Sequence, residues 1–325
     1  MDGNAPAATP VRLAMKLALV GLCCVSACQP AAPAGPRPPP AACAPAIPLL
    51  AQQHTRNVTR LYLAPLAGDF TIGAPALATT RPGYVSQPAF APDGSGLYFT
   101  WRPEGSQADI WFHDLRTGAE RPITCTSVEE YSAKPVADGL SVIRIAADLT
   151  RGLVRIGLDG RDRQVLFPSV TTVGAYTWVD DTTAAMFVPP TPPDTASSLV
   201  LGDARTGAVQ TVARDVGPTL AMIPGTHDLS YVDQSDEHPR LMRLDVASHV
   251  TTMLLPLPDG VDHVTWLPDA SFLAGHGTRL VRASLDAPLW RDAGDLTGIE
   301  GTLTSMVISP DRQRVALVTT VPPAS

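Results

Sequence analysis

Lysine is almost missing from this 325-residue chain: Lys16 and Lys134 stand against 22 arginines, and the formal net charge is −7. The arginines are scattered, so no basic stripe forms and nucleic acid is not expected as a partner. Metal-binding patterns are lacking as well. The seven histidines form no HxH or HExxH, and no cysteine pair in the body of the chain has zinc spacing, so no metal or other cofactor is expected. A G-x-S-x-G nucleophile elbow is absent; Gly94-Ser95-Gly96 has a different spacing and reads as a hairpin turn. No helical periodicity stands out beyond the first fifty residues. Against these absences stand 33 prolines, 25 glycines and a hydrophobic fraction of 45%, which is enough to bury a core and too high for a disordered chain.

The N-terminal residues 1–27 read as an export signal. Arg12 and Lys16 precede an apolar run from Leu17 to Ala27, too short to span a bilayer but suited to a signal-peptide core. The run ends Val25-Ser26-Ala27-Cys28, which resembles a bacterial lipobox and implies cleavage before Cys28 and lipidation of its thiol. Cys23 and Cys24 fit that pattern less well, because Leu22 and Cys23 precede them where a small residue is needed. A single-pass anchor and a soluble secretory signal are the alternatives. Gln29, in place of an Asp after the cysteine, points to the periplasmic side of the outer membrane, and the several acyl chains of a processed lipoprotein give stable membrane anchoring. Residues 28–58 form a stalk. Eight prolines and seven alanines crowd the 22 residues from Gln29 to Leu50, a composition that favours extended polyproline II over packing. Cys43 in the stalk and Cys125 beyond it are free to pair in an oxidising compartment, or to remain as thiols.

Residues 59–323 carry an internal period. Short apolar strands ending in Pro/Asp/Gly turns recur at Phe90, Val136, Trp178, Ile223, Trp266 and Ile308, spaced 46, 42, 45, 43 and 42 residues apart. Each is followed by a second apolar run, as in Leu97-Tyr98-Phe99, then by a third strand such as Asp109-Ile110-Trp111 and a shorter, more polar fourth. Four strands per 40–50 residues is the signature of a β-propeller blade. Five units are complete. After them only two strands remain, near Met306–Ile308 and Val315–Val318, while Arg60–Leu63 and Asp69–Ile72 read as third and fourth strands with no partner before them. The sequence therefore predicts an all-β, six-bladed propeller in which the N- and C-terminal strands jointly build one blade.

Gln87-Pro88-Ala89-Phe90-Ala91-Pro92-Asp93-Gly94, with Leu97–Thr100, Asp109–Trp111 and Pro122–Thr124, resembles the repeat of TolB-type propellers, a WD-repeat-like family. The match is close in that blade, partial around Ile308–Asp311 and faint in the other four. The resemblance implies a periplasmic or secreted binding and scaffolding module without a fixed catalytic set, so it transfers no site residues; the expected partner is an envelope protein or peptide. The remaining candidates come from position. Residues four places before the anchors face the mouth of a propeller channel: Ser86, Ser132, Gly174, Thr219, Asp262 and Thr304, with Glu129, Glu130, Tyr131 and His263 nearby. Ser86, Glu130, Tyr131, Asp262 and His263 are the channel-mouth binding candidates, with no catalysis expected. The alternative is a hydrolase or lyase using Asp262 and Glu130 in the central channel. A calcium-dependent lactonase is disfavoured because asparagine occurs only at Asn4 and Asn57. Trp178 and Trp266 fall in the inter-blade core; Trp101 and Trp290, outside that register, are candidates for exposed partner contacts. The insertion Pro189–Asp194 reads as a stiff protruding loop.

Overall fold

Turn chemistry sets the first hairpin. In the computed structural model, which describes residues 58–322 except Asp162 and Asp262, Gly94 takes a φ of 70° and its amide donates to the Ala91 carbonyl at 2.9 Å. The Asp93 carboxylate accepts from the Ser95 amide at 3.0 Å and from its hydroxyl at 2.7 Å. A left-handed glycine and a self-capping aspartate are what a tight reversal needs, and the flanking runs Tyr84–Phe90 and Gly96–Arg102 pair antiparallel across it. Leu267–Ala270 and Ser309–Arg312 repeat the device. Their last residues, Ala270 and Arg312, hold φ of 60° and 59° without being glycine.

Among the described residues the strands form six four-stranded antiparallel sheets, and every regular element is a strand. Five sheets are simple meanders. Their innermost strands are Tyr84–Phe90, Glu129–Val136, Ala175–Trp178, Val216–Met222 and Val264–Trp266, which open blades one to five in chain order. Blade six is composite. Thr302–Ile308 and Arg314–Val321 supply its inner and second strands, and Val58–Pro65 with Ala76–Leu77 its third and outer strands. Val58–Pro65 pairs with Arg314–Val321 at eight positions, from Val58 opposite Val321 to Pro65 opposite Arg314. The two-ended blade expected from the leftover strands is therefore present.

One strand assignment is corrected. Asp69–Ile72, expected as the fourth strand of blade six, is a turn: Phe70 sits at φ 65°, its amide donates to the Ala67 carbonyl at 2.9 Å, and the Asp69 carboxylate accepts from the Thr71 amide at 3.0 Å. Left-handed backbone and an Asx cap are incompatible with a ladder position, so the outer strand forms later, at Ala76–Leu77. The leader, Cys28 and the stalk up to residue 57 lie outside the described residues, and Val58, taken as the last stalk residue, opens the strand Val58–Pro65.

The core is divided among the interfaces between blades. Tyr98 and Ile110 of blade one pack on Leu140, Val142 and Val154 of blade two, and Ala185 and Leu199 of blade three on Val216, Leu229 and Tyr231 of blade four. Blades six and one meet through Leu61, Ala316 and Val318 against Val85, Leu97 and Phe99, and blades five and six through Leu273 and Leu280 against Tyr62, Val315 and Leu317. Two inter-blade hydrogen bonds fix the rotation: Trp178 Nε1 donates to Ser141 Oγ at 2.9 Å and Trp266 Nε1 to Ser230 Oγ at 2.7 Å. No helix of the described residues is long and apolar enough to cross a membrane. Removing residues 301–325 strips both inner strands from blade six and uncovers two of these interfaces at once. The truncated chain is expected to lose cooperative thermal unfolding by calorimetry; a truncated chain that melts cooperatively near the full-length temperature would show that closure is dispensable.

Candidate functional site

The inner strands of the blades do not run straight. Their pairing slips between Ser86 and Ala89, between Tyr131 and Lys134, between Val216 and Leu220, and between Leu303 and Ser305. Gln87 and Ser132 take left-handed φ of 54° and 56° at the first two slips. A bulge doubles residues on one strand and re-aims side chains, and Ser132, Ala133 and Lys134 at the slip of blade two border the centre of the ring. The backbone groups released by the bulge are recovered across the interface: Gln87 Oε1 accepts from the Thr100 hydroxyl at 2.9 Å and from the Ser132 amide at 3.2 Å.

These strands enclose a central channel of about 460 Å³ to which all six blades contribute. Its polar lining is Gln87, Ser132, Lys134, Thr177, Thr219, His263, Thr265 and Ser305, and its apolar lining includes Met222, Val264, Trp266, Met306 and Ile308. The Tyr176 hydroxyl lies 2.7 Å from the Ser141 carbonyl and 2.9 Å from that of Ser132, donating into the pair and turning its ring toward Lys134, whose Nζ is 5.7 Å from the ring centroid. Burial alone lowers the Lys134 ammonium from its ordinary value. His263 bridges three blades, with Nδ1 3.4 Å from Thr219 Oγ1 and Nε2 3.3 Å from Thr265 Oγ1 and 3.4 Å from the Met306 amide. Among the described residues, no group of three or more His, Cys, Asp or Glu is placed to hold a metal ion. A second cavity, about 510 Å³, is an outer groove against blade five and the 69–72 turn. There Arg282 is already engaged by Asp269 at 2.5 Å and Ser271 at 3.0 Å.

Of the five channel-mouth candidates, His263 lines the channel. Ser86, Glu130 and Tyr131 lie outside its lining, and Asp262 lies outside the described residues. Ser86 stands beside the Tyr84 hydroxyl. Glu130 is buried between blades one and two, where Thr126 Oγ1 donates to it at 2.8 Å and Arg144 and Arg163 stand at 3.6 and 4.0 Å. Tyr131 packs with Val128, Ile145 and Leu149, and burial pushes its hydroxyl up to about 12. Gln87, Lys134 and Tyr176 were missed by position, although the rarity of lysine singled Lys134 out. Cys125 is disulfide-bonded. The tryptophans outside the anchor register are not free surface: Trp101 meets Trp111 edge-on at 5.2 Å and donates to the Pro82 carbonyl, and Trp290 stacks on Phe272 at 5.4 Å and donates to that of Pro256.

No family model and no curated protein matches the sequence. Solved structures do match in fold. A TolB-type protein of Agrobacterium tumefaciens superposes with a TM-score of 0.64 at 11% identity, covering 82% of this chain and 100% of that one. The fold is the TolB-type six-bladed propeller. TolB of Acinetobacter baumannii follows at a TM-score of 0.53 and 13% identity, with 81% of this chain matched to 64% of that one. An oligogalacturonate lyase in complex with manganese gives 0.54 at 13% identity, over 81% and 83% of the two chains.

Beside the channel mouth, this TolB-type ring buries three carboxylates at one blade interface. Asp109 is 5% exposed, and Glu129 and Glu130 are each 1% exposed. Burial pushes Asp109 up to about 6, even though Thr124 and Thr126 hydrogen-bond to it. It pushes Glu129 and Glu130 up to about 7, outweighing Arg102 and Arg151 for the first and the Thr126 hydrogen bond, Arg144 and Arg163 for the second. Between the unfolded carboxylate range and pH 7 the folded state holds protons that the unfolded state has released, so this contribution is complete below about pH 4.5 and is lost as pH rises through 7. The melting temperature is expected to fall by several degrees from pH 5 to pH 8. Glu129→Gln and Glu130→Gln should each flatten that slope. Slopes identical to wild type would show that these carboxylates do not carry the effect.

Proposed function

We propose that this chain is a lipid-anchored propeller of the bacterial envelope that binds a protein or peptide partner through one face of the ring. The observation that supports this most is the channel: a cavity of about 460 Å³, open between six blades, walled by hydroxyl, amide and apolar side chains. Binding sites of that size and mixed lining recognise ligands by shape and a few polar contacts. The TolB structures share this ring, and the rigid scaffold of paired strands leaves the loops and inner strands free to vary. The 189–197 loop of blade three joins its second and third strands, with Pro190, Pro192 and Pro193 exposed.

The anchor follows from Cys28. Cleavage before it and acylation of its sulfur leave Cys43 and Cys125 as the two thiols of the mature chain, and we propose that they form the disulfide in which Cys125 takes part. The stalk is then tied to the ring at residue 43, which leaves about 15 residues between lipid and staple, a reach of roughly 45 Å in polyproline II.

A second reading, a lyase acting in the channel, draws on His263 in the wall and on the lyase with the same fold. Its carboxylate pair is not assembled among the described residues, since Glu130 is held between two blades by Thr126, Arg144 and Arg163.

Crosslinking and affinity capture from the native envelope separate these readings. The wild-type chain is expected to recover one stoichiometric partner. Thr177→Trp, which fills the channel, should reduce recovery at least about ten-fold, and Val165→Glu, on the exposed outermost strand of blade two, should leave it unchanged. Equal capture by both variants, or none by the wild type after crosslinking, would sink the binding role. Peptide mass mapping of the same purified protein should show an acylated Cys28 and a Cys43–Cys125 link.

A further inference from the structure

The domain's single lysine, Lys134, is the one formal charge among the described residues that border the channel. Among the described residues that border the channel, Lys134 is accompanied by hydroxyls, an amide, an imidazole and apolar groups, and by no Asp, Glu or Arg. Several arginines of the ring are treated differently: Arg81 is matched by Glu120 at 2.6 Å, Arg240 by Asp233 at 2.7 Å and Arg282 by Asp269 at 2.5 Å. Among the described residues Lys134 has no such carboxylate, and its closest charge-sensitive contact is the face of Tyr176 at 5.7 Å. An ammonium drawn out of water without a counter-charge is costly, and lysine is seldom enclosed unless paired. Here the bulge between Tyr131 and Lys134 places it in the wall, and Ser141 Oγ, donating to the Lys134 carbonyl at 3.2 Å, fixes the backbone beneath it.

We propose that the channel is a binding site for a carboxylate, with Lys134 as its anchoring cation. The proposal rests on the reading of the ring as a binder and names the group it recognises. A lone ammonium flanked by neutral donors suits one negative charge; a phosphate dianion calls for a second cation or a fork of donors, and no arginine borders this channel. The lining opposite in character, with Met222, Val264, Met306 and Ile308, suits an apolar body behind the charged head. Two sources supply that chemistry, a peptide presenting its C-terminal or side-chain carboxylate and a free organic acid.

The test follows the Lys134 side chain by NMR in the full chain labelled with ¹⁵N-lysine, where Lys16 is the one other lysine and Lys134→Arg assigns the signal. The probes are N-acetyl-alanyl-alanine, its C-terminal amide, and succinate. The free acid is expected to shift the Lys134 signal saturably and to raise its titration midpoint, and the amide to bind at least about ten-fold more weakly. Lys134→Met should lose at least about ten-fold in affinity for the acid with an unchanged melting temperature; if that variant does not fold, the acid–amide comparison in the wild type decides. Tighter binding of the peptide assigns the source to a chain end, and tighter binding of succinate to a free acid; both uphold the site. Acid and amide binding alike, undiminished binding to Lys134→Met, or no response at about 10 mM of either acid would overturn it. Partner capture by Lys134→Met at wild-type strength would remove this site while leaving the binding role of the ring intact.

Discussion

The ring depends on a ladder between the two ends of the chain. A four-stranded blade has two open edges and two apolar faces, and neither can be left to water: edges invite pairing with other chains, and faces must find a neighbour. Blades one to five solve the second problem for one another, but a row of five still ends in two bare faces. The eight-position pairing of Val58–Pro65 with Arg314–Val321 builds the sixth blade from what remains, and its apolar residues then fill both gaps at once. Because each interface carries its own cluster, stability is shared around the circle, and the ring gains a cooperativity that an open stack of repeats does not have.

Closure also creates the site. Six inner strands converging on one axis leave a channel whose lining they choose, and four of them carry a slip in their pairing. At the bulges of blades one and two the gain is double. Ser132 and Lys134 turn to the channel, and the Ser132 amide freed from the ladder is captured by Gln87 of the neighbouring blade. The same element thus locks an interface and equips the cavity. The buried Asp109, Glu129 and Glu130 lie outside that lining, where their contribution to stability depends on pH, whereas among the described residues Lys134 is the one formal charge that borders the channel.

Much of this architecture was legible in the residues because it rests on local chemistry. Proline, aspartate and glycine at the inner hairpins set a period that packing then had to respect, and the unmatched strands at each end announced the shared blade. Asp69–Ile72 misled because Phe, Thr and Ile alternate as a strand would, while the aspartate cap and the left-handed Phe70 that make it a turn leave only a weak trace. The site was harder to read for a related reason. Counting back from the anchors assumes an unbroken pleat, and a slip in pairing reassigns faces. The bulges at Gln87 and Ser132 adopt positive φ without glycine, so nothing in the pattern marks them; of the residues counted back, Ser132 and Thr219 border the channel, whereas Ser86 lies outside its lining, as do the neighbouring Glu130 and Tyr131. Lys134 was visible in another way, as the lone lysine of an arginine-rich domain. The stacking of Trp101 and Trp290 depends on partners 10 and 18 residues away, Trp111 and Phe272, that no local rule supplies.

Native-state hydrogen exchange, resolved by residue, measures the closure itself. If the ring is held by its two-ended blade, amides of Val58–Pro65 and Arg314–Val321 exchange only through the same global opening that exposes the buried strand Gly96–Arg102, with equal free energies. Exchange of either terminal strand by a separate, lower-energy opening while the other blades stay protected would mean that the sixth blade merely caps a stack that stands without it.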